Sequence, residues 1–171
     1  FLNLAIFCFL SLIFDTPFKN LIISTKEYLS IMLLITSFFF LGLYDDKFKL
    51  NPEKKFILSI LFSILALTLN NNLLIQNINF SFLDRVIFLK DFSFFFTIFC
   101  IIILINALNF YDGINGQSLV FFITLFSYLA YQSPIQSFYI ILIFLSVLIL
   151  FLNLKNKNFL GDGGIYLLGS I

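Results

Sequence analysis

Asp45 and Asp46 stand side by side at the end of an apolar run, in "GLYDDKF", with Lys54 and Lys55 a few residues on. Adjacent carboxylates in that setting either solvate a helix end or handle a divalent cation or phosphate, with the lysines supplying positive charge. Further along, Asn106, Asn109 and Asp112 recur every three residues in "NALNFYDGING", and Asn115 follows. If the helix persists through them they share one face, turned from lipid toward neighbouring helices. A single intramembrane asparagine is usually an interhelical hydrogen-bonding group, but three on one stripe ending in an Asp-Gly turn favour a site. Finally, "FLGDGG" sets Asp162 among three glycines at the start of a helix. There it is either an N-cap or a carboxylate ligand beside backbone amides that can face a phosphate. The chain has no histidine, so oxygen donors are what it offers, and these suit Mg²⁺, or Mn²⁺ in its place, rather than zinc.

The elements that position these residues must be membrane helices. The chain of 171 residues is 61% hydrophobic and only 11% charged, against roughly 25% charged in soluble domains. Lipid offers no partners for backbone amides outside a helix or closed barrel, and alternating β patterning is absent. The predicted fold is all-α, a single polytopic transmembrane bundle over residues 1–171. Spans fall at 28–44, 56–75, 92–110, 118–132 and 136–154, with a last one from about Gly163. Phe1 to Phe14 reads as the remainder of an earlier helix, and the run at Ile171 reads as cut short, so an internal portion of a longer protein is expected. Tyr28, Tyr44, Tyr111 and Tyr131 sit near span ends, as interfacial anchors do. Cys8 and Cys100 lie in apolar runs and read as buried free thiols. A net charge of +1 points to no nucleic-acid partner.

Counting crossings puts loops 45–55, 111–117 and 155–162 on one side, and 15–27, 76–91 and 133–135 on the other. The first set holds six lysines; the second holds Lys19, Lys26, Arg85 and Lys90. That balance favours the first set as cytoplasmic. All three polar clusters fall on that face.

"LGLYDD", "NALNFYDGING" and "FLGDGGIYLLG", in this order, resemble the polyprenyl-phosphate N-acetylhexosamine-1-phosphate transferases of glycosyltransferase family 4. Their patterns are G-x-x-D-D, N-A-x-N-x-x-D-G-x-D-G and F-x-G-D-x-G-S-x-x-L-G. The likeness runs from about Gly42 to Gly169. Asn115 stands where most bacterial members carry Asp, and Ile165 where Ser is usual.

This resemblance implies about ten transmembrane helices in the intact protein, about seven of them here. It implies transfer of a sugar-1-phosphate from a UDP-N-acetylhexosamine to a polyprenyl (undecaprenyl) phosphate, releasing UMP and starting a lipid-linked surface glycan. The setting would be the bacterial inner membrane, with the site facing the cytoplasm; a homodimer is allowed. By the motif match Asn109 and Asp162 would hold Mg²⁺, and Asp45 and Asp46 would position or deprotonate the lipid phosphate. Lys55 would contact phosphate, and Asn106, Asp112 and Asn115 would bind substrate. The rival readings are a non-enzymatic transporter, which predicts helices broken near mid-membrane, and an inactive paralogue.

Overall fold

The segment "FKLNPEKK" turns the chain back on itself, and the site depends on that turn. The first helix, α1 (Thr25–Phe48), ends where Lys49 takes a left-handed φ of +50°. The second, α2 (Pro52–Leu69), begins with proline in its first turn, and Asn51 accepts a hydrogen bond from Glu53 N at 3.2 Å. Proline there loses no needed N–H, and the asparagine satisfies one of the free amides. The result is a tight helical hairpin that sets the last turn of α1 beside the first turn of α2. The computed structural model describes residues 25–82, 85–113, 116–133, 136–157 and 159–171. The expected helix remainder at 1–14, Cys8 and Asn115 lie outside these residues.

The α1–α2 contact is close because α2 presents small side chains. Ser59, Ser63 and Ala66 are buried, and Ser30 of α1 donates its hydroxyl to the Ala66 carbonyl. Ser59 and Ser63 donate to the carbonyls of Lys55 and Ser59, each at 2.8 Å. Small residues with self-satisfied hydroxyls let membrane helices approach without stranded polar groups.

The span expected at 56–75 is shorter. Asn70 is extended, with φ −147°, and its side chain accepts from Asn72 N at 3.1 Å. Three successive asparagines favour such local bonds over helix, and a 3₁₀ turn, Asn71–Leu73, replaces the last helical residues. A short antiparallel pair follows that the sequence did not predict, β1 (Asn77–Ile78) with β2 (Ile87–Phe88), in register Asn77 to Phe88. Ser93 and Thr97 tie this connection down, bonding Ile75 O at 2.6 Å and Ile75 N at 2.9 Å.

Four more helices complete the described chain: α3 (Ser93–Tyr111), α4 (Gln117–Gln132), α5 (Gln136–Leu154) and α6 (Gly161–Ser170). The pair α4–α5 packs through Leu119, Phe122 and Phe126 against Phe138 and Leu142. The short α6 lies at the centre, with Gly163 to Leu168 buried, and packs on α1 and α3. Helices of 24, 19 and 19 residues (α1, α3 and α5) carry segments long and apolar enough to cross a membrane. Their outer faces expose Phe40, Phe95, Phe99 and Phe144, each by more than half. An outer surface of that kind matches lipid as the solvent. The chain is an all-α membrane bundle. Cys100 is a half-buried free thiol.

Gly42 is the point where α1 meets the start of α6. A Cβ there would lie 2.5 Å from the Asp162 carbonyl oxygen and 2.6 Å from Gly163 Cα. Both neighbours are backbone, so neither can swing away. Gly42→Ala is expected to lower stability by about 3 kcal/mol, the upper end for an added methyl group in a packed interior. Thermal unfolding in detergent checks this, and an unchanged midpoint would show that the two backbones separate freely.

Candidate active site

The C-terminal ends of α1 and α3 and the N-terminal ends of α2 and α6 converge, and each brings polar groups, two of them from α1. Lys55, in the first turn of α2, is their common partner. Its ammonium donates to Asp45 Oδ2 at 2.6 Å and to Asp162 Oδ2. With its amide oriented to satisfy both neighbours, Asn109 donates from Nδ2 to Asp162 Oδ1 at 2.8 Å. Its Oδ1 then accepts from Lys55 at 3.2 Å. An ammonium has three hydrogens to donate, and all three are used, one on each motif.

Asp45 has a second duty. Its Oδ1 accepts from Leu50 N at 2.7 Å, and its carbonyl accepts from Lys49 N at 2.8 Å. The carboxylate thus fixes the turn that delivers Lys55. Asp46 points the other way. Its two oxygens accept from Asp162 N at 2.8 Å and Gly163 N at 3.0 Å. It caps α6 from another helix, satisfying amides that an N-terminus leaves open and placing negative charge at the positive end of the dipole. Gly161 makes room: its φ is +64°, and a Cβ there would meet the Asp46 carboxylate at 2.8 Å.

Burial, with Asp45 alongside, pushes the Asp162 carboxyl up to about 6 despite the bond from Lys55. Burial alone would lower the Lys55 ammonium, but its bonds to Asp162 and Asp45 carry it well above the ordinary lysine range. The two shifts describe one shortage. A single cation serves two carboxylates, so it is held firmly while Asp162 stays short of positive charge. Among the described residues no three His, Cys, Asp or Glu side chains converge closely enough to hold a metal ion by themselves.

The remaining expected residues divide. Asp112 caps the end of α3 and accepts from the Ser118 hydroxyl across the α3–α4 turn. Burial raises its carboxyl, the Asp46 charge adds to this, and the Ser118 bond opposes it. Asn106 lies one turn back along α3, where its amide donates to Ile102 O at 2.8 Å within its own helix. Asn115 lies outside the described residues, so nothing places it. Ile165 is wholly buried in the core.

Three contributors were not singled out from the sequence: Gly42, Ser118 and Tyr166. Tyr166 follows Asp162 by four residues, so both lie on one face of α6, and that spacing was a usable signal. The Lys55 ammonium sits 5.0 Å from its ring centroid.

A helical bundle with membrane-length apolar helices and a carboxylate–lysine–amide cluster at one end is a polytopic membrane protein with a polar site at the helix ends. The chain belongs to glycosyl transferase family 4, whose family model matches residues 28–171. Among curated proteins, none matches the chain. Membership implies a transferase of the polyprenyl-phosphate sugar-1-phosphate kind, with a lipid-phosphate acceptor and a nucleotide-sugar donor.

Proposed function

We propose that this protein transfers N-acetylhexosamine-1-phosphate from a UDP-sugar to undecaprenyl phosphate, releasing UMP and beginning a lipid-linked surface glycan. A phosphate oxygen of the lipid attacks the sugar-bearing phosphorus. One P–O bond forms, and the bond to the UMP phosphate breaks, its electron pair leaving with UMP. The observation that carries this reading is the single ammonium of Lys55 shared by Asp45, Asp162 and Asn109. Such a cluster at helix ends can meet a membrane-borne acceptor and a water-soluble donor together.

Lys55 neutralises phosphate charge, and Asp45 holds it in place. Asp46 fixes the start of α6 and so orients Asp162, and the lipid phosphate would dock over the Asp45–Asp46 turn. By the motif match, Asp112, Asn115 and Asn106 would bind the nucleotide sugar. The donors fit Mg²⁺, with Mn²⁺ as a substitute. Asp162 and Asn109 supply adjacent oxygens, and the cluster holds more carboxylates than ammonium groups. Magnesium commonly takes one or two carboxylates and completes its shell with substrate phosphates and water. When bound, it would neutralise the pyrophosphate and favour in-line displacement.

The transporter reading predicts broken helices at mid-membrane, whereas α1, α3 and α5 run unbroken and the polar cluster lies at the ends of α1 and α3. The test is the full-length protein in vesicles containing undecaprenyl phosphate, given a panel of UDP-N-acetylhexosamines. UMP release matched by lipid-linked sugar supports the reading; neither product from any donor would overturn it. The same reading places 45–55, 111–117 and 155–162 in the cytoplasm. Cysteines introduced there should escape impermeant thiol reagents in intact cells, and labelling of any of the three from outside would defeat a cytoplasmic site.

A further inference from the structure

Tyr166 is fully buried, and its hydroxyl makes no hydrogen bond of ordinary geometry among the described residues, although the Lys55 ammonium lies close enough to interact with it. Buried hydroxyls are seldom left so. The ring itself is well held: it meets Phe38 edge-on at 6.1 Å, and the Lys55 ammonium lies over it at 5.0 Å. The charged groups around the phenol are Lys55, Asp162 and Asp45. A core tyrosine that merely filled space would serve as well without its oxygen.

The three acceptors of the ammonium explain what the oxygen is for. Two of them, Asp162 and Asn109, are the groups that would hold a divalent cation, so ammonium and metal compete for the same oxygens. A cation arriving there leaves Lys55 with Asp45 alone. A largely buried ammonium short of partners is costly, and it has one unused acceptor beside it. We propose that Tyr166 is a positioning residue that receives the Lys55 ammonium, on its hydroxyl oxygen and ring face, when a divalent cation takes Asp162 and Asn109. The inference rests on the cation assignment made above. It adds an exchange in which Lys55 holds the empty site together and moves aside on loading.

The experiment uses the full-length protein in detergent and Mn²⁺ as the probe, followed by the electron paramagnetic resonance of free Mn²⁺ and by thermal unfolding. In Tyr166→Phe the ring remains and the hydroxyl is gone. Without Mn²⁺ its unfolding midpoint should stay close to that of the parent, because at rest Lys55 is already bonded to Asp45, Asp162 and Asn109 and its contact with the hydroxyl is poorly formed. Its Mn²⁺ affinity should fall about tenfold, the scale of one hydrogen bond to a charged group, and the rise in midpoint with Mn²⁺ should shrink. Tyr166→Leu, lacking the ring face as well, should bind more weakly still. Parent-like Mn²⁺ binding by Tyr166→Phe, or a loss of resting stability in it, would reduce Tyr166 to core packing. Asp162→Asn separates the two layers. If it loses Mn²⁺ while Tyr166→Phe does not, only the exchange fails. If it binds Mn²⁺ like the parent, the cation assignment falls and the exchange with it.

Discussion

Lys55→Met is expected to lower turnover of the intact enzyme by about 10²–10³-fold, the usual cost of one preorganised group facing developing charge. It should also cost roughly 3 kcal/mol of stability in metal-free buffer, the low end for breaking a buried ion pair from one side. The lysine side chain is 12% exposed, with Asp45 at 13% and Asp162 at 25%. Water therefore screens these charges only in part. Methionine fills the space of the stem but leaves two carboxylates and the Asn109 carbonyl facing one another. Asp162, already pushed up to about 6 with the ammonium present, would lose its one compensating cation. Two readouts follow from this. The unfolding midpoint should recover with saturating Mg²⁺, which can replace the missing charge, while UMP release should not, because phosphate contact needs the ammonium. A variant as stable as the parent without metal would mean that the cluster is hydrated and the ion pairs contribute little. Full activity would remove Lys55 from the mechanism.

Much of this arrangement could be read before any coordinates. Apolar runs mark α1, α3, α4 and α5 to within a few residues, since lipid leaves a buried backbone little choice but helix. Asn51-Pro52-Glu53 marks the start of α2. Crossing parity already implied that Asp45, Asn109 and Asp162 share a face, and they meet through Lys55. Beyond that, periodicity names the face of a helix but not the neighbour it will meet. Nothing local in "YDDKF" says that Asp45 turns to Lys55 while Asp46 reaches Asp162 N and Gly163 N, more than a hundred residues away. The early end of α2 was hidden for a different reason. Hydropathy continues through Leu73, Leu74 and Ile75, and only the side-chain bond of Asn70 stops the helix. Likewise "GDGG" read as a helix start with backbone amides that can face a phosphate, whereas the amides of Asp162 and Gly163 are taken by Asp46, and Gly161 and Gly163 accommodate Asp46 and Leu43 of α1.

Asp162→Asn is the substitution for which loss of function and loss of fold should separate most widely. The parent carboxylate accepts at both oxygens, from Lys55 at Oδ2 and from Asn109 at Oδ1. An asparagine offers one acceptor and one donor. If its oxygen faces Lys55, its amide faces the Asn109 amide, which must then turn over and direct its own N–H₂ at Lys55. If its oxygen faces Asn109, its amide faces the ammonium directly. Either way one donor opposes another, at a cost of about 1–3 kcal/mol for a bond to a charged group. Against this, the variant removes a carboxylate that burial and Asp45 already disfavour as an anion. It keeps the backbone N–H bond to Asp46, which belongs to residue 162 whatever its side chain. The two effects oppose each other, so the unfolding midpoint should change little. Activity should not survive, because a neutral amide is a poor ligand for Mg²⁺ beside a pyrophosphate. Loss of about 10³-fold is expected, of the size seen when an electrostatic contact made to the reacting group is removed. High Mn²⁺ should restore part of it. Near-parent UMP release at low Mg²⁺ would leave Asp162 as a structural partner of Lys55 and move the metal elsewhere.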